Sequence, residues 1–175
     1  MQTLKIALTI FIALLLEMLL SKRLWFFQYL DLPLLITVYF SLQRAPVLGM
    51  VTGAAAGIAG DAVDGGVLGT GGFAKTLLGY IIAVLSIKFP LQNPLARLAV
   101  VAVASTASTV IYVGLNLMLD RELSHVANWI EFGKVLGWNA LADTLASVPV
   151  FFILDRAFPD QPAASRMAIK KRFYE

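Results

Sequence analysis

Glycines recur at every fourth position within residues 49–80, and this pattern restricts the fold more than any other feature of the chain. Gly49, Gly53 and Gly57 follow the spacing, and Asp61 takes the next position in the series. Residues four apart lie on one face of a helix. The chain is 59% hydrophobic, against about 45–50% in soluble domains, and its mean hydropathy is +0.79. We therefore expect a helix in lipid, where small residues at this spacing let two backbones pack closely.

Two carboxylates, Asp61 and Asp64, stand at the end of this glycine stripe. A Gly-rich turn at residues 69–72 follows, and Lys75 opens the next apolar run. The pattern predicts a helical hairpin with a polar tip. An ionisable group at membrane depth marks a functional site by default, so one interpretation is an ion or proton site. The other, which we favour because the glycines place both acids near a turn, is a structural cap in which the carboxylates pair with Lys75 or with backbone N–H groups.

Apolar runs divide the chain into six predicted helices of a single integral membrane domain, residues 1–175. The predicted helices cover residues 4–20, 32–43, 47–64, 73–88, 95–119 and 135–158. Asp31 and Pro33 interrupt the second run, which is shorter than the roughly 20 residues that a span needs. The sequence therefore allows five spans as well as six, and the distribution of Lys and Arg slightly favours five. A short basic tail, residues 159–175, predicts a cytoplasmic C-terminus.

Polar and small side chains mark the last two predicted helices. The small residues of the fifth helix predict that it packs against the glycine stripe. These residues are Ala102, Ala104, Ser105, Ala107, Ser108 and Thr109. In the sixth helix, Asn139, Asp143 and Ser147 form a polar stripe that either lines a cavity or bonds to neighbouring helices. We favour interhelical bonds to Asn116 or to the hydroxyls of the fifth helix, worth about 0.6–2 kcal/mol each.

Composition excludes several functional classes. The chain has no Cys, and His125 is its only His, which excludes thiolate catalysis, Cys-ligated metals and His-rich metal sites. The Gly-rich turn at 69–72 lacks the following Gly-Lys-Ser/Thr of a phosphate-binding loop. The net charge of +3 is typical of cytoplasmic loops rather than of nucleic-acid binding, because no basic patch alternates with exposed aromatics. We expect no enzymatic activity, no cofactor, no metal and no nucleic-acid partner.

Several short motifs, taken in order, resemble the rod shape-determining protein family MreD. They are DLP at 31–33 before an apolar run, GIAGD at 57–61, VLG at 67–69 and GY at 79–80. The resemblance covers essentially the whole chain. It implies a protein of the bacterial inner membrane that works in side-wall elongation with MreC, MreB filaments, a RodA-type glycosyltransferase and a class B transpeptidase. It also implies a six-helix fold similar to the substrate-capturing subunit of energy-coupling-factor transporters, which favours six helices over five.

Two hypotheses about function follow. The first is a non-enzymatic scaffold that binds an MreC-like partner, with the glycine face and the fifth helix as packing surfaces and Asp61 holding the hairpin in place. The second is a small-molecule-binding transporter subunit, motivated by the implied fold and by the polar stripe of Asn139, Asp143 and Ser147. We favour the scaffold, because Trp138 is the only aromatic residue beside that stripe.

Overall fold

The chain folds into six α-helices in a computed structural model that describes residues 2–21, 29–43, 45–64, 67–89, 91, 93–119 and 129–158. The helices are α1 (Gln2–Ser21), α2 (Leu32–Leu42), α3 (Pro46–Asp64), α4 (Thr70–Lys88), α5 (Pro94–Met118) and α6 (Trp129–Ala157). The prediction of an all-α chain with six helices is confirmed. His125 and the basic tail at 159–175 lie outside the described residues.

Four of the described helices, α3 to α6, are long and apolar enough to cross a membrane. Their outward faces carry large apolar side chains, among them Val103, Leu145 and Phe152, each more than 60% exposed. Such faces suit lipid rather than water. The chain is therefore an integral membrane protein.

The short helix α2 forms the centre of the bundle. All eleven of its residues are buried, and it contacts each of the other five helices. At 1.5 Å per residue it is about 16 Å long, roughly half of the ~30 Å hydrocarbon core. It begins where the sequence indicates, since Asp31 accepts a hydrogen bond from the Leu34 N–H at 2.9 Å and Pro33 occupies the first turn, a typical helix start.

Helices α3 and α4 form the most closely packed pair, as the hairpin prediction requires. The prediction that the glycine stripe packs against α5 was wrong, however. The stripe faces α4, and α5 packs mainly on α6 without contacting α3. A Cβ on Gly49 would lie 2.7 Å from the Gly79 carbonyl oxygen, and one on Gly57 would lie 2.5 Å from the Gly71 oxygen. Glycines of both helices meet at this contact. Because α3 and α4 are joined by a short turn and both carry glycines on the facing sides, α3 packs on α4 rather than on the small residues of α5.

One end of the bundle collects polar residues from all six helices or from the residues that flank them, since Glu17, Asp31, Asp61, Lys75, Ser105 and Asn139 line one space there. At the other end, Arg97 in the first turn of α5 pairs with Asp155 in the last turns of α6, at 3.2 Å. Two helices, α4 and α6, begin three or more residues earlier than predicted. The Gly-rich turn from Thr70 on is already helical, and α6 begins at Trp129, six residues before the predicted start. Glu131 in the first turn of α6 favours this start through the helix dipole.

Candidate functional site

The carboxylate of Asp61 caps the N-terminus of α4 from the facing helix α3. Its Oδ2 accepts hydrogen bonds from the backbone N–H groups of Gly69 at 2.8 Å, Gly71 at 3.0 Å and Gly72 at 3.3 Å. The Gly71 N–H also lies 3.1 Å from Oδ1. Gly69, at the cap position, has no side chain to do this. Because the first N–H groups of a helix lack intrahelical partners and carry positive charge, a buried carboxylate is stabilised there.

Glycines in the turn make this cap possible. Gly69 has φ +103°, a conformation that glycine adopts without strain. A Cβ on Gly71 would overlap Oδ1 of Asp61, so only glycine lets the carboxylate approach the backbone. The Gly-rich motif at 69–72 therefore binds an anion, but the anion is the protein's own side chain. The side chain of Asp64, the second acid of the predicted tip, lies outside the described part of the chain.

Lys75 forms an ion pair with Asp31 rather than with Asp61. Its Nζ lies 2.8 Å from Oδ2 of Asp31, and the lysine side chain is 11% exposed. The other oxygen of Asp31 caps α2. A single carboxylate thus joins the start of α2 to the first turns of α4.

Asp143 extends this network to α5 and α6. It is 1% exposed, and its Oδ1 accepts a hydrogen bond from the Asp31 backbone N–H at 2.8 Å. Its Oδ2 accepts from the Ser105 hydroxyl at 2.5 Å. The chain Lys75–Asp31–Asp143–Ser105 therefore connects α4, the start of α2, α6 and α5.

The other members of the predicted polar stripe have weaker roles between helices. The Asn139 amide lies 3.4 Å from the Thr109 hydroxyl of α5. Ser147 and Asn116 are buried, but their side chains donate to carbonyls of their own helices, Thr144 and Tyr112. The stripe thus supplies interhelical bonds at Asn139 and Asp143, and Asn116 has a different partner from the one that we expected.

A cavity of about 290 Å³ lies at the polar end of the bundle, beyond the amino end of α2. Because α2 is short, the helices around it enclose space there instead of packing against its continuation. The polar side chains around the cavity come from all six helices or their ends. They are Glu17, Tyr29, Asp31, Asp61, Lys75, Ser105, Ser108, Thr109, Tyr112, Asn139 and Asp143. Within the described ranges, His, Asp and Glu side chains form no group of three that could hold a metal ion.

Of the predicted site residues, the structure brings Asp61, Lys75, Asn139 and Asp143 to this cavity, while the three glycines of the stripe lie along the α3–α4 contact. Asp31 was not predicted as a site residue, although it joins Lys75 to Asp143. The signal was present in the sequence, because an Asp two residues before a Pro is a typical helix cap. From sequence, we interpret the residue as an interruption of an apolar run and as part of the DLP motif at 31–33, and not as a link between helices.

We expect Lys75→Met to lower the free energy of unfolding by about 2 kcal/mol, because it leaves the Asp31 carboxylate without its cation. Removing one partner of a fully buried pair costs about 3–5 kcal/mol, and the exposure of Asp31, 32% of its side chain, reduces this. The double variant Lys75→Met/Asp31→Asn should lose less than the sum of the single variants. Unfolding in mixed micelles measures this coupling, and strict additivity would contradict the ion pair.

The family model for the rod shape-determining protein MreD matches residues 1–157. Searches of curated proteins and of solved structures find no match.

Proposed function

Because the chain belongs to the MreD family of rod shape-determining proteins, we propose that it is a non-enzymatic scaffold of the bacterial cell-elongation complex. The family is part of the rod-shape system with MreC and MreB. As an integral protein of the inner membrane, the chain would bind the transmembrane part of an MreC-like protein. Through that partner it would position a RodA-type glycosyltransferase and a class B transpeptidase relative to MreB filaments, and so support side-wall peptidoglycan synthesis.

The observation that supports a scaffold is the use of buried charged groups to fix helices. Asp61 fixes α4 against α3, and the Lys75–Asp31–Asp143–Ser105 chain fixes four elements together. Buried hydrogen-bond and ion-pair networks that join several helices restrain those helices relative to one another. A rigid body with apolar outer faces is suited to present a fixed surface to partner helices within the bilayer.

The proposed orientation places the basic tail in the cytoplasm and the cavity towards the other face of the membrane. Arg97 and Arg156 lie at the end of the bundle opposite the cavity, at the start of α5 and the end of α6. Basic residues concentrate on the cytoplasmic side of membrane proteins. Reactivity of single cysteines, introduced at Thr3 and at Ser165 in this Cys-free chain, towards a membrane-impermeant thiol reagent would test the orientation.

Partner association is tested by co-purification in mild detergent, with the MreC of the same cell as bait. We expect the wild-type chain to co-purify and Asp61→Ala to be lost, because the hairpin would no longer be held. Asp155→Asn is the matched control, since its carboxylate is 51% exposed and far from the cavity. A well-folded wild-type chain that fails to co-purify contradicts the scaffold.

A second candidate function is supported by the cavity. A concave space lined by a few convergent polar groups is a common form of small-molecule site, and it would suit a binding subunit of the energy-coupling-factor type. A saturable rise in melting temperature with a vitamin would support this function. Loss of rod shape on deletion, with no such rise, would favour the scaffold alone.

A further inference from the structure

Among the described residues, the cavity is lined by more carboxylates than ammonium groups. The acids are Glu17, Asp31, Asp61 and Asp143, and Lys75 is the one base of that part of the lining. The Asp61 carboxylate accepts hydrogen bonds from the N-terminus of α4, and the Asp31 carboxylate forms an ion pair with Lys75. Asp143 differs, because both of its hydrogen-bond donors are neutral groups. No Lys or Arg of the described part of the chain lies within 4 Å of it.

A carboxylate buried at membrane depth is costly when no positive charge compensates it. Each oxygen of Asp143 accepts one hydrogen bond, whereas a carboxylate offers about four acceptor positions. Thr109, Tyr112 and Asn139 line the same space and offer neutral oxygens. The cavity is therefore complementary to a cation that donates several hydrogen bonds.

The volume of the cavity limits which cations could fill it. Its volume of about 290 Å³ exceeds what a bare ion needs, and it falls at the small end of ligand pockets, which span roughly 300–1,000 Å³. The ligand is thus a small organic group rather than a large cofactor. Its charged end should carry N–H donors, because Asp143 and the oxygens of Thr109, Tyr112 and Asn139 can accept hydrogen bonds there.

We propose that this cavity binds a protonated primary amine, whose N–H groups donate to Asp143 and to the neutral oxygens of Thr109 and Asn139. The amine comes either from a free small molecule or from the ethanolamine headgroup of a membrane lipid, since both present the same –CH2–NH3⁺ group. This inference rests on the second candidate function, binding of a small molecule, and does not depend on association with a partner protein.

Thermal unfolding of the full chain in detergent tests the proposal. Ethanolamine, choline and NaCl are compared at equal ionic strength, because choline has the charge of ethanolamine without its N–H donors. We expect a saturable rise in melting temperature with ethanolamine and none with the other two. In a second arm, delipidated protein is placed in nanodiscs of phosphatidylethanolamine or phosphatidylcholine. A rise confined to the phosphatidylethanolamine nanodiscs identifies the lipid headgroup as the source.

Variants on one helix localise the site. Asp143→Asn should weaken amine binding at least about tenfold, the loss expected when a charged hydrogen bond is removed. Asp155→Asn, near the other end of α6 and outside the cavity, should leave it unchanged. If Asp143→Asn does not fold, Asn139→Leu replaces it, because a leucine there obstructs the cavity without removing an acid.

Three outcomes overturn the proposal. They are no saturable rise in either arm, an equal rise with choline or NaCl, and unchanged affinity in the cavity variant that folds. None of these outcomes alters co-purification with the bait protein, so failure of the amine site is distinguishable from failure of the scaffold.

Discussion

Replacing Asp61 with alanine is expected to lower the free energy of unfolding by about 3 kcal/mol or more, because three backbone N–H groups lose their acceptor. These are the N–H groups of Gly69, Gly71 and Gly72, of which the last two are buried. The N-terminus of α4 should fray and the α3–α4 hairpin should open.

A graded series measures this effect. Asp61→Asn keeps one acceptor oxygen but loses the charge, so it should fall between wild type and alanine. Asp155→Ala should cost only about 0–1 kcal/mol, as exposed ion pairs do. Protein level in the membrane and survival of the size-exclusion peak after heating are the measurements. An Asp61→Ala protein that is abundant and bound to its partner, but inactive in shape support, would indicate an ion or switch role instead.

Gly53→Ala should be nearly as damaging, although it adds a single methyl group. A Cβ there would overlap the Lys75 carbonyl oxygen and would lie 2.7 Å from its carbon and 2.9 Å from the Thr76 nitrogen. Backbone atoms of a packed helix cannot rotate away, so α3 and α4 must separate. Overpacking typically costs about 1–3 kcal/mol, and we expect the upper end here because the ion pair of Lys75 moves with its helix.

Gly60→Ala is the matched control for Gly53→Ala. Both glycines are buried on α3, but among the described residues a Cβ on Gly60 would meet only Pro33, at 4.0 Å. We expect that variant to be neutral or slightly more stable, since alanine is favoured over glycine in helices by about 1 kcal/mol. Comparable loss of thermal stability in the two variants would contradict the close packing of the glycine stripe.

Much of the architecture is predictable from sequence because lipid imposes strong constraints. Apolar runs give the six helices, and the spacing of Gly49, Gly53 and Gly57 gives a face for close packing. The partner of that face was not predictable from composition alone. The fifth helix has more small residues, but the matching glycines of α4, Gly71, Gly72 and Gly79, are the ones that meet the stripe.

The polar site was only partly predictable. Asp61 and Asp143 are conspicuous in apolar segments, and each was singled out. Their connection could not be deduced, because it depends on Asp31 being brought beside Lys75 and Asp143 by the central position of α2. Asp31 and Asp143 are 112 residues apart in the chain. A contact between such distant residues leaves no pattern in the local sequence from which it could be predicted.

The central position of α2 also has a consequence for biogenesis. A helix of about 16 Å that buries every side chain is too short to settle stably across a bilayer by itself. Its stable position in the membrane therefore depends on packing against α3 to α6, which emerge from the ribosome after it. Once they enclose it, neither lipids nor docking proteins touch it, and among the described helices the other five form the surface that faces the bilayer.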